Sequence, residues 1–193
     1  MALGHGAGST RTYPALVSLA EAIAASGRLG VLYNFPYTEA GGRRPDPPGV
    51  LEATTRAVAD HARQALGART LVLGGRSMGG RIASQAVAKG VVADGLVFLA
   101  YPLHPPGRPE QLRDKHLPAI AAPMLFVQGT RDDFARADLL DAVIARLGDR
   151  ATCHSVEGGD HSFGVLKRSG RTPAEVREEV HATVLAWLDA RGL

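Results

Sequence analysis

A chain of 193 residues with 45% apolar and 21% charged side chains has the composition of a folded domain and excludes a disordered segment. No apolar run reaches the ~20 residues of a membrane span, and no basic stretch with an apolar core opens the sequence, so no membrane contact and a cytoplasmic address are expected. The net charge of +3 is scattered, with acidic neighbours close by (Arg56 with Asp60, Arg113 with Asp114, Arg177 with Glu178), which excludes nucleic acid as a partner, and the single cysteine, Cys153, excludes an internal disulfide or a Cys-rich metal site.

In chain order, a first strand is expected at residues 1–4, running into Gly4-His5-Gly6-Ala7-Gly8-Ser9. A helix comes next, with Leu16, Leu19, Ala20 and Ile23 on one face and Gly27 at its C-terminal end. The second strand, 30–35, leads into a proline-rich stretch from Pro36 to Pro48, and then into a helix marked by Leu51, Thr55, Val58, Ala62 and Leu66. The third strand, 70–74, meets Gly75-Arg76-Ser77-Met78-Gly79, after which Ile82, Ala83, Ala86 and Val87 mark a helix that stops at Gly90. The fourth strand, 95–100, opens a second proline-rich stretch, Pro102 to Pro123; the two stretches hold ten of the 12 prolines. A fifth strand, 124–128, precedes Gly129-Thr130-Arg131-Asp132-Asp133 and a helix with Leu140, Val143, Ile144 and Leu147. The sixth, 151–156, contains Cys153 as a small buried group and ends in Gly158-Gly159-Asp160-His161-Ser162-Phe163. Thr172, Pro173 and Glu175 form the N-terminal signal of the last helix, whose apolar face is Val176, Val180, Val184, Trp187 and Leu188.

Strands alternating with helices require crossover connections, which predicts an α/β fold: a three-layer αβα sandwich on a mostly parallel, doubly wound sheet of about six strands, one domain over 1–193. Ligands of such folds bind outside the carboxyl ends of the strands, so the loops leaving those ends are where chemistry is expected. Gly75-Arg76-Ser77-Met78-Gly79 is a G-x-S-x-G between strand and helix, the setting that exposes a serine on a strained turn. A serine needs a base, and the base an orienting carboxylate, in the chain order Ser, Asp, His. Asp132, with Asp133 as the fallback, and His161 supply them after the fifth and sixth strands; His104 and His154 are the competing bases.

Gly4 and Gly6 could begin a dinucleotide fingerprint, but Ser9 stands where the third glycine belongs and no ribose-binding acid ends the second strand. The loop reads better as an oxyanion hole, with the N–H groups of Ala7 and Met78 as donors. The prolines stiffen a shallow rim, where Phe35, Tyr37, Tyr101 and His104 are candidate substrate contacts. Arg76 is either a further contact, for an anionic substrate, or a structural salt bridge.

These motifs together resemble the α/β-hydrolase superfamily. The resemblance is closest to a small dienelactone-hydrolase-like branch that includes a testis-expressed relative and a subunit of the NSL chromatin-acetylation complex. It is carried by His5-Gly6-Ala7-Gly8, Asn34-Phe35-Pro36-Tyr37, Gly75 to Arg81, Tyr101 to Gly107, Gly129 to Asp132 and Gly159 to Phe163. It implies a minimal hydrolase fold without a cap domain, starting nearly at the first motif and so lacking the family's earlier strands. It also implies a Ser77–Asp132–His161 triad that cleaves a small carboxylic ester or related acyl compound, with no metal or organic cofactor. Dienelactone hydrolases use a cysteine nucleophile, so Ser77 carries over no particular substrate. The rival expectations are a catalytically silent interaction protein on the same fold and a cofactor-free peroxidase using the same triad.

Overall fold

A computed structural model describes residues 1–193. Its six strands are β1 (Ala2–Gly4), β2 (Val31–Tyr33), β3 (Val72–Arg76), β4 (Gly95–Leu99), β5 (Met124–Gly129) and β6 (Ala151–Val156). All pair in parallel, in the order β2-β1-β3-β4-β5-β6. The helices are α1 (Pro14–Ala25), α2 (Pro36–Glu39), α3 (Pro48–Gln64), α4 (Met78–Ala88), α5 (Ala137–Leu147) and α6 (Pro173–Arg191).

The central strands are apolar at consecutive positions because both their faces are covered. Leu96, Phe98, Met124 and Phe126 join the core under α3, α4 and α5. Their chain neighbours Val97, Leu99, Leu125 and Val127 point the other way, onto α1 and α6. This period of two, set against the helical period of Leu16, Leu19 and Ile23 or of Val176, Val180 and Val184, makes the three layers. Thr172 and Glu175 form the reciprocal capping box expected at the start of α6.

Two departures matter for the site. β3 runs on to Arg76, because Gly74 and Gly75 keep extended pairing with Val97 and Phe98 of β4. The stretch after β2 is not all loop: Pro36, whose missing N–H costs nothing at a helix start, opens the short α2. Between β4 and β5 only one 3₁₀ turn, Leu117–Ala119, interrupts the loop, so no cap domain covers the strand ends. No helix is long and apolar enough to cross a membrane.

The chain leaves β1 and β3 toward opposite faces of the sheet, to α1 and α4, and so opens a crevice between their carboxyl ends. The backbones close in tightly beneath it. A Cβ on Gly79 would lie 2.2 Å from the Gly4 carbonyl oxygen, and one on Gly75 would lie 2.1 Å from the same atom. Only glycine lets α4 start this close to β1.

Candidate active site

Ser77 sits between β3 and α4 with φ 51° and ψ −117°, a conformation rarely held by a residue with a side chain. Its own N–H is fixed on the Leu99 carbonyl at 2.9 Å, so the turn is pinned to β4 while the hydroxyl faces the crevice. His161 arrives on the loop after β6. Its Nε2 lies 2.8 Å from Ser77 Oγ, and its Nδ1 lies 2.8 Å from Asp132 Oδ2. These three residues are far apart in sequence and meet within hydrogen-bonding distance. Asp133, the fallback acid, is exposed, whereas the Asp132 side chain is fully buried.

A buried carboxylate needs donors to stay charged. Asp132 Oδ1 accepts the Phe134 N–H at 2.8 Å, and Oδ2 also accepts the Gln128 side-chain amide. The Phe134 ring stacks on the imidazole, with centroids 4.1 Å apart and 27° between planes. Phe134 and Gln128 are the supporting residues that sequence reasoning missed. Gln128 could have been found as the polar residue ending an otherwise apolar strand; Phe134 carries no signal before the fold is known.

The acid and base loops brace each other. Arg131 N–H donates to the Gly159 carbonyl at 2.8 Å, Gly158 N–H donates to Thr130 Oγ1 at 2.9 Å, and a Cβ on Gly129 would lie 2.3 Å from the Gly159 carbonyl oxygen. Asp160 closes the base loop by accepting the N–H groups of Ser162 and Gly164.

On the other side of Ser77, the Ala7 N–H has no acceptor in the protein, and Met78, as the first residue of α4, has no carbonyl one turn back. The Ala7 donor is aimed from behind. The Gly6 carbonyl, the other end of the same planar peptide, lies 2.8 Å from His5 Nδ1 and accepts the Ser9 N–H at 3.2 Å. A trans peptide points its N–H away from its C=O, so fixing the oxygen fixes the donor. His5 is fully buried, which lowers its pKa, and its Nε2 accepts the Phe35 N–H at 3.2 Å. That leaves Nδ1 to carry the proton that holds Gly6.

Four expected rim contacts are corrected. Phe35 and Tyr101 are fully buried. Phe35 packs edge-on against His5 and Tyr33, and Tyr101 packs against Phe98 and Phe126 with its hydroxyl on the Arg113 carbonyl. Neither offers surface to a substrate. His104 is buried too; its Nδ1 donates to the Pro105 carbonyl and its Nε2 accepts the Arg136 N–H, so both nitrogens are used in shaping the loop. Tyr37 likewise lies inward. His154, the other competing base, pairs with Glu179 at 2.7 Å, away from Ser77.

Arg76 makes no salt bridge. Its Nη2 donates to the His161 carbonyl at 3.2 Å and to Ser162 Oγ at 2.7 Å, and its guanidinium lies over the Tyr13 ring. Through these contacts it holds the base loop in place. Cys153 is partly buried in β6, and desolvation pushes its thiol up to about 11, which makes it a poor nucleophile. No group of three or more His, Cys, Asp or Glu side chains is placed to hold a metal ion.

The arrangement can take a proton from a hydroxyl, hold the resulting imidazolium against a buried carboxylate, and offer two backbone donors to a developing oxyanion. Comparison with known proteins agrees with the fold. The family model for the alpha/beta hydrolase domain matches residues 1–189. The chain is similar to an alpha-beta serine hydrolase homologue from Coxiella burnetii, at 20% identity and TM-score 0.71, over 94% of this chain and 83% of that one. It is similar to a dienelactone hydrolase from Anabaena variabilis, at 20% identity and TM-score 0.73, over 98% and 85%. Est1E from Butyrivibrio proteoclasticus, a structure with ferulic acid bound, matches at 16% identity and TM-score 0.75, over 96% and 87%. Identities this low carry the fold alone.

Proposed function

The chain belongs to the alpha/beta hydrolase family, and from that premise we propose that it is a serine hydrolase cleaving a small carboxylic ester or related acyl compound. The observation that carries this reading is the continuous chain of hydrogen bonds from Ser77 Oγ through His161 to Asp132. Ser77 Oγ attacks the substrate carbonyl as His161 Nε2 takes its proton, and the buried Asp132 carboxylate stabilises the imidazolium. The carbonyl oxygen becomes an oxyanion facing the N–H groups of Ala7 and Met78, each worth ~10²–10³ in rate by analogy with other oxyanion donors. Collapse of the tetrahedral intermediate breaks the bond to the alcohol, which leaves with the proton from His161. Water then enters, gives a proton to the same imidazole, and releases the acid from Ser77.

The uncapped strand ends favour a small, accessible substrate. Two similar structures, one named a dienelactone hydrolase and one holding ferulic acid, support an acyl compound as its class. The test is labelling by a fluorophosphonate together with hydrolysis of p-nitrophenyl acetate. Wild type is expected to label at Ser77 and to turn over. Ser77→Ala should lose labelling and about 10⁴-fold or more in kcat/KM. Unchanged hydrolysis by Ser77→Ala would refute the assignment.

A further inference from the structure

A cavity of about 480 Å³, within the range of small-molecule sites, opens between α1 and α6. It lies on the α1–α6 side of the sheet, beside the triad but apart from it. Neither Ser77, Asp132 nor His161 lines it, whereas their chain neighbours Arg76 and Ser162 do.

Its accessible walls are apolar: Tyr13, Pro14 and Ala15 at the start of α1, Pro173 at the start of α6, and Phe163 of the base loop, with the buried Leu16, Leu19 and Val176 behind them. Its charge is of one sign. Arg76 and Arg177 line it, neither is in a salt bridge, and no Asp or Glu side chain is among the lining residues. The Arg76 Nε–H is buried and has no acceptor. His181, also in the lining, has its pKa lowered, by desolvation first and then by the Arg177 charge. The nearby acids are otherwise placed. Glu178 acts on His181 from outside the lining, and Asp160 is engaged by the N–H groups of Ser162 and Gly164.

An apolar molecule here would leave the Arg76 Nε–H without an acceptor and both guanidinium charges without a counter-charge, a cation would be repelled, and a bare inorganic anion would leave the walls wet. A molecule with an apolar body and one negative end satisfies walls and charges together. We propose that this cavity is a binding site for an anionic amphiphile, a carboxylate with an aliphatic or aryl body, distinct from the reacting centre at Ser77. Its carboxylate would meet Arg76 and Arg177 while its body lies between α1 and α6. This site goes beyond the hydrolytic reading and does not depend on turnover.

The test is calorimetric titration with sodium octanoate and, as its uncharged counterpart, 1-octanol. The proteins are wild type, Ser77→Ala, Arg177→Ala and Ser18→Trp. Arg177 is exposed and Ser18 partly so, and both line the cavity. One saturable site for octanoate is expected, of equal affinity in wild type and Ser77→Ala. Octanol, or octanoate with Arg177→Ala, should bind at least ~10-fold more weakly. Ser18→Trp should fill the cavity and abolish binding; if that variant does not fold, Arg177→Ala carries the test. No saturation of wild type by about 10 mM octanoate, equal binding of octanol, or full affinity in folded Arg177→Ala or Ser18→Trp would overturn the proposal. Because Ser77→Ala must bind normally, failure here is distinguishable from failure of the hydrolase reading.

Discussion

Asp132 and Asp133 are neighbours in sequence and opposites in environment: one carboxylate is sealed against His161, Gln128 and Phe134, and the other faces water. Replacing the first carboxylate by an amide keeps the shape but stabilises the wrong imidazole tautomer. Asp132→Asn should therefore lower kcat/KM for p-nitrophenyl acetate by ~10³–10⁴, while Asp133→Asn stays within about threefold. The reverse ranking would move the role to Asp133. Ser77, Asp132 and His161 were legible because each lies just past a strand and is marked by its glycines. The aromatic rim was not, because Phe35 and Tyr101 flank strand ends where sequence cannot distinguish a lip from a core. Residues adjacent on the chain point apart, so Asp114 pairs with Arg146 rather than Arg113. Arg56 reaches the Lys89 carbonyl in place of Asp60.

At the scale of elements, all six strands were readable, the middle four from their apolar runs, and the helices around them from their periodicity. The end of β3 and the existence of α2 were not, since glycine and proline act there by what they permit sterically and not by propensity. The contact of α4 with β1 shows what this permission is for. A methyl group at Gly79 would strike the backbone of Gly4 and His5, at 2.2 to 2.9 Å, where no flexible side chain can yield. Gly79→Ala is expected to destabilise the fold by about 3 kcal/mol and to displace the loop carrying Ala7, so urea midpoint and activity fall together. Gly49→Ala, where an added methyl meets nothing within 4 Å, should change stability by less than about 1 kcal/mol. A fully stable and active Gly79→Ala would show that α4 can draw back without cost.

Across the whole molecule, α4 is tied to the loop before β5 by Ser84 and His116, 2.7 Å apart, with Arg81, Asp114, Glu52 and Lys89 around the ring. Burial first, and then Arg81, push the His116 pKa down to about 4 from its ordinary 6.5. The unfolded chain thus binds the extra proton over that window, so stability is full above about 6.5 and is lost as pH falls toward about 4. Urea unfolding at pH 7 and pH 5 should show His116→Gln losing about 1 kcal/mol less on acidification than wild type, with solvent screening of this partly exposed group allowed for. Equal losses would place the acid sensitivity elsewhere, His5 being the next buried imidazole. The strand order has a consequence for how the site comes apart. Ser77 rides on β3, flanked by β1 and β4, whereas the loop carrying His161 hangs from β6, the outermost strand, which has β5 alone for a neighbour. The nucleophile turn is therefore held from both sides, and the base loop is expected to open first when the border of the sheet frays, with the amides of residues 158–164 exchanging hydrogen faster than those of 74–80.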